Sequence, residues 1–183
     1  MNLPSTGLTL ILGGARSGKS AFAERMARET GRPVLFIATA TALDEEMRER
    51  IEKHRAARPA EWQTLEAALQ VGASVRRYAP SHEVFLLDCI TLLVSNVLLS
   101  LPEETPFEVV LQHVQAEIEA LLQVQKERGG LWLVVSNEVG LGVVPPYPLG
   151  RIYRDALGWA NQRLAQEAAR VLFMVAGIPL VVK

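Results

Sequence analysis

The sequence predicts an α/β fold in which a mostly parallel sheet is covered by helices on both faces. Three observations carry this. Short apolar runs of strand length recur at Leu8 to Leu12, Val34 to Ala38, Val84 to Leu87 and Leu131 to Val135. These runs do not alternate with polar residues, which is the pattern of strands buried on both faces. Between them lie stretches with apolar residues at helical spacing, and strands alternating with helices build a parallel sheet.

Each element follows from its local pattern. Leu8 to Leu12 is the first strand and ends in glycines. Ser20 to Thr30 reads as a helix, with Phe22 and Met26 one turn apart and Gly31 as its stop. Val34 to Ala38 is the second strand. Leu43, Met47, Ile51 and His54 then fall on one face of a second helix, and Thr41 with Asp44 resembles a capping box with Asp in place of Glu. Val84 to Leu101 is the most apolar window, yet it holds Asp88, Ser95 and Asn96. A bilayer would make Asp88 costly, so the window reads as a buried strand followed by a helix rather than a membrane span.

Thr105 and Pro106 read as the N-cap and first residue of a long helix. Its stripe is Phe107, Val110, Leu111, Val114, Ile118, Leu121 and Leu122, and it stops at Gly129-Gly130. Leu131 to Val135 is the fourth strand. Leu149 to Ala168 is amphipathic, with Ile152, Tyr153, Ala156, Leu157, Ala160 and Leu164 inward. Asn161 shares that side, so it needs a polar partner. Val171 to Val175 and Leu180 to Val182 close the sheet as a hairpin across Gly177-Ile178-Pro179.

The totals bound the function. With 183 residues and 49% hydrophobic content the chain fits a single domain over residues 1–183 with a full core. A net charge of −1 and a pI near 6.3 leave no electrostatic footprint for nucleic acid. Cys89 is the only cysteine, so no internal disulfide can form, and Met1 to Gly7 lacks a signal-peptide pattern. Both point to the reducing cytoplasm.

Gly13-Gly14-Ala15-Arg16-Ser17-Gly18-Lys19-Ser20 matches the P-loop pattern G-x-x-x-x-G-K-[ST] without a mismatch, between a strand and a helix. The glycines let backbone N–H groups turn inward around phosphate oxygens, and the following helix N-terminus adds positive potential. Lys19 can bridge the β- and γ-phosphates, and Ser20 can ligate Mg²⁺. Asp88, at the end of an apolar strand, fits a Walker B carboxylate that holds the same ion; the alternative is a cap on the helix beginning near Thr91.

His54 lies at the end of the apolar stripe of the second helix, away from Glu45, Arg48, Glu49 and Glu52. A neutral imidazole can attack phosphorus and carry a covalent intermediate. Arg55 and Arg58 follow and can neutralise a triphosphate. From this pattern alone, a core-edge histidine with an ordinary hydrogen bond remains the favoured alternative. His82, in a loop, and His113, on a polar helix side, form no metal cluster. Ser136-Asn137-Glu138-Val139-Gly140 puts polar groups at the same sheet edge as the P-loop, and Arg151, Arg154, Asp155 and Asn161 form a further polar set on the next helix.

Taken in order, these motifs resemble the bifunctional adenosylcobinamide kinase/adenosylcobinamide-phosphate guanylyltransferase family of cobalamin biosynthesis. The resemblance runs from about Thr9 to Lys183. It rests on the P-loop, Ile37-Ala38-Thr39-Ala40, Asp44-Glu45-Glu46-Met47, Arg50-Ile51, His54-Arg55, Arg58-Pro59, Trp62, Thr64 and Glu66. Ser136 to Gly140, Arg154-Asp155, Asn161-Gln162 and Val175-Ala176-Gly177 complete it.

The resemblance implies a P-loop NTPase fold of RecA-like type, assembled as a homotrimer. It implies two reactions with GTP or ATP and Mg²⁺: phosphorylation of adenosylcobinamide, then transfer of GMP from GTP to adenosylcobinamide phosphate through a guanylylated histidine. His54 matches that histidine, which reverses the reading from pattern alone. Lys53 stands where some members carry a second histidine. Ala38, Thr39, Ala40, Arg55, Ala56, Ala57, Arg58, Glu66 and Asp88 match positions that contact the guanine nucleotide or its metal. Some members have Glu at the Asp88 position. Two other functions fit the residues without the resemblance: a small-molecule kinase with a structural His54, and a regulatory ATPase of RecA type.

Overall fold

The computed structural model describes residues 4–41, 45–56, 58–78 and 82–183. The elements in chain order are β1 (Gly7–Gly13), α1 (Lys19–Glu29), β2 (Val34–Ala38), α2 (Glu45–Ala56), β3 (Gln63–Glu66), α3 (Val71–Arg77) and β4 (Val84–Asp88). They continue with α4 (Ile90–Leu99), α5 (Phe107–Arg128), β5 (Leu131–Val135), α6 (Pro148–Glu167), β6 (Arg170–Val175) and β7 (Ile178–Val181). The seven strands form one sheet in the order β3-β2-β4-β5-β1-β6-β7. Every pairing is parallel except that of β6 with β7.

The lack of alternation in the strands has the predicted consequence. Residues of opposite parity enter two separate cores. On one face Phe22, Ala23 and Met26 of α1 pack with Ile11, Phe36, Leu86, Leu133 and Met174. On the other, Val71 of α3, Leu93 of α4, Ile118 of α5 and Leu157 of α6 cover Leu10, Leu35, Leu87 and Trp132. Trp132 is fully buried, stacks on Phe85 at 4.4 Å, and its Nε1–H donates to Gly129 O at 2.9 Å. A buried indole needs such a partner.

The sequence missed two elements. β3 is a half-exposed edge strand of mixed residues, Gln63-Thr64-Leu65-Glu66, with no apolar run to mark it. α3 has seven residues, too few to show helical periodicity. Most ends shift by a residue or two, and two shifts change a residue's role. Pro106 is the N-cap of α5 and Phe107 its first residue, while Thr105 spends its hydroxyl on Pro102 O at 2.7 Å. The closing hairpin turns at Ala176-Gly177, both at positive φ, so Ile178 and Pro179 belong to β7. Leu43, Asp44 and Ala57 lie outside the described residues, and with them the capping box read at Thr41 and Asp44. The side chains of Met47, Ile51 and His54 are likewise outside the description.

No helix among the described residues is long and apolar enough to cross a membrane. The Asp88 window is a buried strand and helix, as read. His82 is buried, and its Nδ1 has no partner among the described residues.

The approach of α3 to α5 falls on a glycine. A Cβ at Gly72 of α3 would stand 2.6 Å from Ala120 O of α5, a backbone atom that cannot swing aside. Gly72→Ala is expected to destabilise the fold by about 1–3 kcal/mol through overpacking. Urea unfolding checks it; an unchanged midpoint would mean that α3 and α5 separate freely.

Candidate active site

A parallel sheet delivers its carboxyl ends to one edge, and ligands bind there. The register aligns Ala38 of β2 with Asp88 of β4, and Asp88 with Val135 of β5. The P-loop leaves the end of the neighbouring β1. The P-loop, Ala38, Asp88 and the start of the Ser136 segment therefore meet at one edge.

Gly13-to-Ser20 has the conformation its sequence requires. Gly13 and Gly18 sit at φ 149° and 90°, and Arg16 is at φ 57°. A Cβ at Gly13 would stand 2.6 Å from Met174 O, so a side chain there would displace β6. Gly18 is the left-handed N-cap of α1, with Lys19 and Ser20 in its first turn. The loop is braced from the far end of the chain: Gly177 N–H, in the β6–β7 turn, donates to Ser17 O at 3.0 Å. Free N–H groups at such a helix start form an anion cradle.

Lys19 is only 6% exposed. Its Nζ donates to Gly14 O at 2.6 Å and Ser17 Oγ at 3.4 Å, which holds the ammonium over the loop. Burial pulls its pKa below the ordinary lysine value, and the neighbouring Cys89 and Asp88 oppose that pull. The Cys89 thiol is itself pushed up to about 12, chiefly by burial, so it is neutral at pH 7. The charge that faces Lys19 is therefore the half-buried Asp88. Burial likewise pushes Tyr153 up to about 12, and its hydroxyl donates to Thr91 O at 3.3 Å.

Thr39 fixes the exit of β2. It is fully buried. Its hydroxyl accepts from Cys89 N at 2.8 Å and donates to Cys89 O at 2.7 Å, and its own N–H donates to Asp88 O at 3.2 Å. Asn96 of α4 donates from Nδ2 to Thr39 O at 2.8 Å and Ala68 O at 2.9 Å, and accepts from Thr41 Oγ1 at 3.2 Å. Ala38, Thr39 and Ala40 are thus held against the carboxyl end of β4.

The arginines divide. Arg55 of α2 forms an exposed ion pair with Glu66 of β3 at 3.6 Å. Arg58 lays its guanidinium 3.4 Å from the Phe36 ring centroid, on the α1 face of the sheet, and its buried Nε has no partner among the described residues. Burial lowers its pKa, against the pull of Glu24 and Asp88. Ala56 closes α2, and His54 lies in that helix.

After β5, buried Ser136 donates to Asn161 Oδ1 at 2.7 Å, and Asn161 Nδ2 donates to Asn137 O at 3.0 Å. The inward amide thus has the partners it needed. Asn137 N–H donates to Thr91 Oγ1 at 2.8 Å, and Glu138 N–H to Gly13 O at 3.1 Å. Thr91 and Asn96 were not marked as site residues. Their one signal was a polar side chain within an apolar helix.

A phosphate cradle on the first strand, a buried lysine and a carboxylate two strands away define a P-loop nucleotide-binding protein of the RecA-like α/β type. Solved structures agree on the fold. The flagellar accessory protein FlaH from Methanocaldococcus jannaschii superposes with a TM-score of 0.54 at 13% identity, over 100% of this chain and 80% of that one. The RadB recombinase does so with a TM-score of 0.51 at 15% identity, over 92% and 74%.

The chain belongs to the cobinamide kinase / cobinamide phosphate guanyltransferase family, which matches residues 9–182. It is 49% identical over 174 residues to the bifunctional adenosylcobalamin biosynthesis protein CobP of Pseudomonas aeruginosa, covering 95% of this chain and 96% of that protein. It is 38% identical over 181 residues to the bifunctional adenosylcobalamin biosynthesis protein CobU of Escherichia coli, covering 96% and 99%.

Lys19→Ala is expected to lower turnover of the phosphoryl transfer by roughly 10²-fold or more, because the loop loses its ammonium. Circular dichroism should show the wild-type fold. Wild-type turnover in this variant would remove Lys19 from the chemistry.

Proposed function

We propose that this chain catalyses two successive phosphorus transfers on one corrinoid. The first phosphorylates the hydroxyl of adenosylcobinamide with ATP or GTP. The second moves GMP from GTP to adenosylcobinamide phosphate, with pyrophosphate as the leaving group. The observation that carries the reading is the P-loop with its buried Lys19 facing Asp88, in a chain of this family.

In the first reaction the loop N–H groups and Lys19 bind and orient the phosphates and stabilise charge on the transferring group. Ser20 and Asp88 offer hard oxygen donors, and one or two protein oxygens beside substrate phosphates are what Mg²⁺ takes. The donor set suits the ion: Asp88 ends β4 half-buried, at the same sheet edge as Ser20 in the first turn of α1. Bound there, Mg²⁺ would neutralise phosphate charge.

In the second reaction His54 is the nucleophile. Its imidazole attacks the α-phosphorus of GTP, and the resulting phosphoramidate gives GMP to the corrinoid phosphate, so one displacement becomes two. Support comes from its match to the family's histidine and from its place in α2, which follows the β2 exit held by Thr39 and Asn96. Arg55, Arg58 and Glu66 are proposed as its nucleotide-contacting neighbours, with Ala38 to Ala40 and Ala56 to Ala57.

Mass spectrometry after incubation with GTP and Mg²⁺ is expected to find one GMP adduct, on the His54 peptide. His54→Ala should remove the adduct and the second reaction while leaving phosphorylation of adenosylcobinamide largely intact. An adduct mapping to another residue would return His54 to a structural role.

The proposed assembly is a homotrimer. Ile178, Val181 and Val182, beside the sheet edge, are exposed apolar residues of the kind that subunit contacts cover. Light scattering at micromolar concentration is expected to give three times 20.1 kDa; a single-chain mass would refute the trimer.

A further inference from the structure

A cleft of about 430 Å³ opens between α6 and the segment after β5, with Leu12 of β1 in its wall. Its walls include Leu12, Glu138, Arg154, Asp155, Gly158 and Gln162. Leu12 is the residue before the first P-loop glycine, and Glu138 N–H is bonded to that glycine's carbonyl. The cleft is thus joined to the phosphate cradle through main chain. It also gathers motifs that triphosphate binding leaves unused: Glu138 and Gly140, Arg154-Asp155, and Asn161-Gln162.

Charge decides which substrate fits. Arg154 and Asp155 neutralise each other at 2.9 Å. The Glu138 carboxylate accepts from Gly140 N–H at 2.7 Å and has no cation in ion-pair reach among the described residues. The cleft therefore carries one uncompensated negative charge, which repels a triphosphate and suits a neutral or cationic ligand. Next to Gly140 in the chain, Leu141 and Val143 are 79% and 94% exposed. Carboxylate and amide walls with these apolar chain neighbours suit a bulky, amide-bearing alcohol. Asp88 serves the phosphates from the α1 face of the sheet; Glu138 stands on the other side of the P-loop.

We propose that this cleft is the acceptor site of the phosphoryl transfer, and that Glu138 takes the proton of the acceptor hydroxyl. The hydroxyl oxygen bonds to the γ-phosphorus, the bond from that phosphorus to the β–γ bridging oxygen breaks, the proton passes to the Glu138 carboxylate, and nucleoside diphosphate leaves. This rests on the kinase reading above.

Two variants test it. A Cβ at Gly158 meets nothing within 4 Å, so Gly158→Met starts its side chain in open space at the cleft wall, and the change improves helix propensity. It should lower the kinase kcat/KM for adenosylcobinamide by roughly a hundredfold. Its thermal midpoint and oligomeric mass should match wild type. Glu138→Gln keeps an acceptor for Gly140 N–H but cannot take the proton. It should lower kcat by about 10²–10⁴-fold with KM near wild type. Both variants should form the GMP adduct from GTP alone as wild type does.

An unimpaired Gly158→Met kinase, beside an active wild type, overturns the acceptor site. A Gly158→Met protein with altered oligomeric mass also overturns it, because a second copy then covers the cleft. An unimpaired Glu138→Gln kcat overturns the proton acceptor. Wild-type protein that forms no cobinamide phosphate overturns the kinase reading itself, and the acceptor site falls with it.

Discussion

Backbone polar groups at the carboxyl ends of the central strands must find partners once the ladders stop, and the site depends on how they do so. Past Ala38, Asp88 and Val135 the ladder ends in a region too buried for water to satisfy every group. Unpaired buried groups of this kind cost about 1–3 kcal/mol each. Thr39 answers for both the N–H and the carbonyl of Cys89. Asn96 answers for Thr39 O and Ala68 O, and Asn161 for Asn137 O. These side chains fix where the strands let go of one another, and so where the loops that carry chemistry begin.

The sheet separates two kinds of chemistry by parity. Asp88 shares its parity with Val84 and Leu86, which face α1, and Arg58 lies against Phe36 on that same face. Leu12 shares its parity with Leu8 and Leu10, which face the opposite layer, where α6 runs. The P-loop crosses between the two faces at the top of β1. A group bound on the loop can therefore meet charge from one face and an acceptor from the other.

The core strands were legible because each is a short run of apolar residues, broken only by Thr9 in β1, which burial on both faces explains. The P-loop was legible because phosphate binding fixes residue types at fixed spacing. β3 was not, since an edge strand covered on one side can be built from Gln63, Thr64 and Glu66. Thr91 and Asn96 were obscured because one polar residue in an apolar helix does not say which carbonyl it serves. The stacking of Arg58 on Phe36 was also hidden, because nothing in the spacing announces it. Pattern alone left His54 a structural residue, and only its match to a family motif suggests the role proposed for it.

The brace between Gly177 and Ser17 joins segments some 160 positions apart in the chain. A Cβ at Gly18 would also lie 3.3 Å from Gly177 Cα, so hairpin turn and loop are in direct contact. On a ribosome, where the chain emerges from its amino end, the P-loop sequence appears long before its buttress. β1 also waits for β5 and β6, its two sheet neighbours. A growing chain therefore holds a phosphate-binding sequence long before it holds a finished phosphate pocket, which defers nucleotide capture until the closing hairpin has emerged.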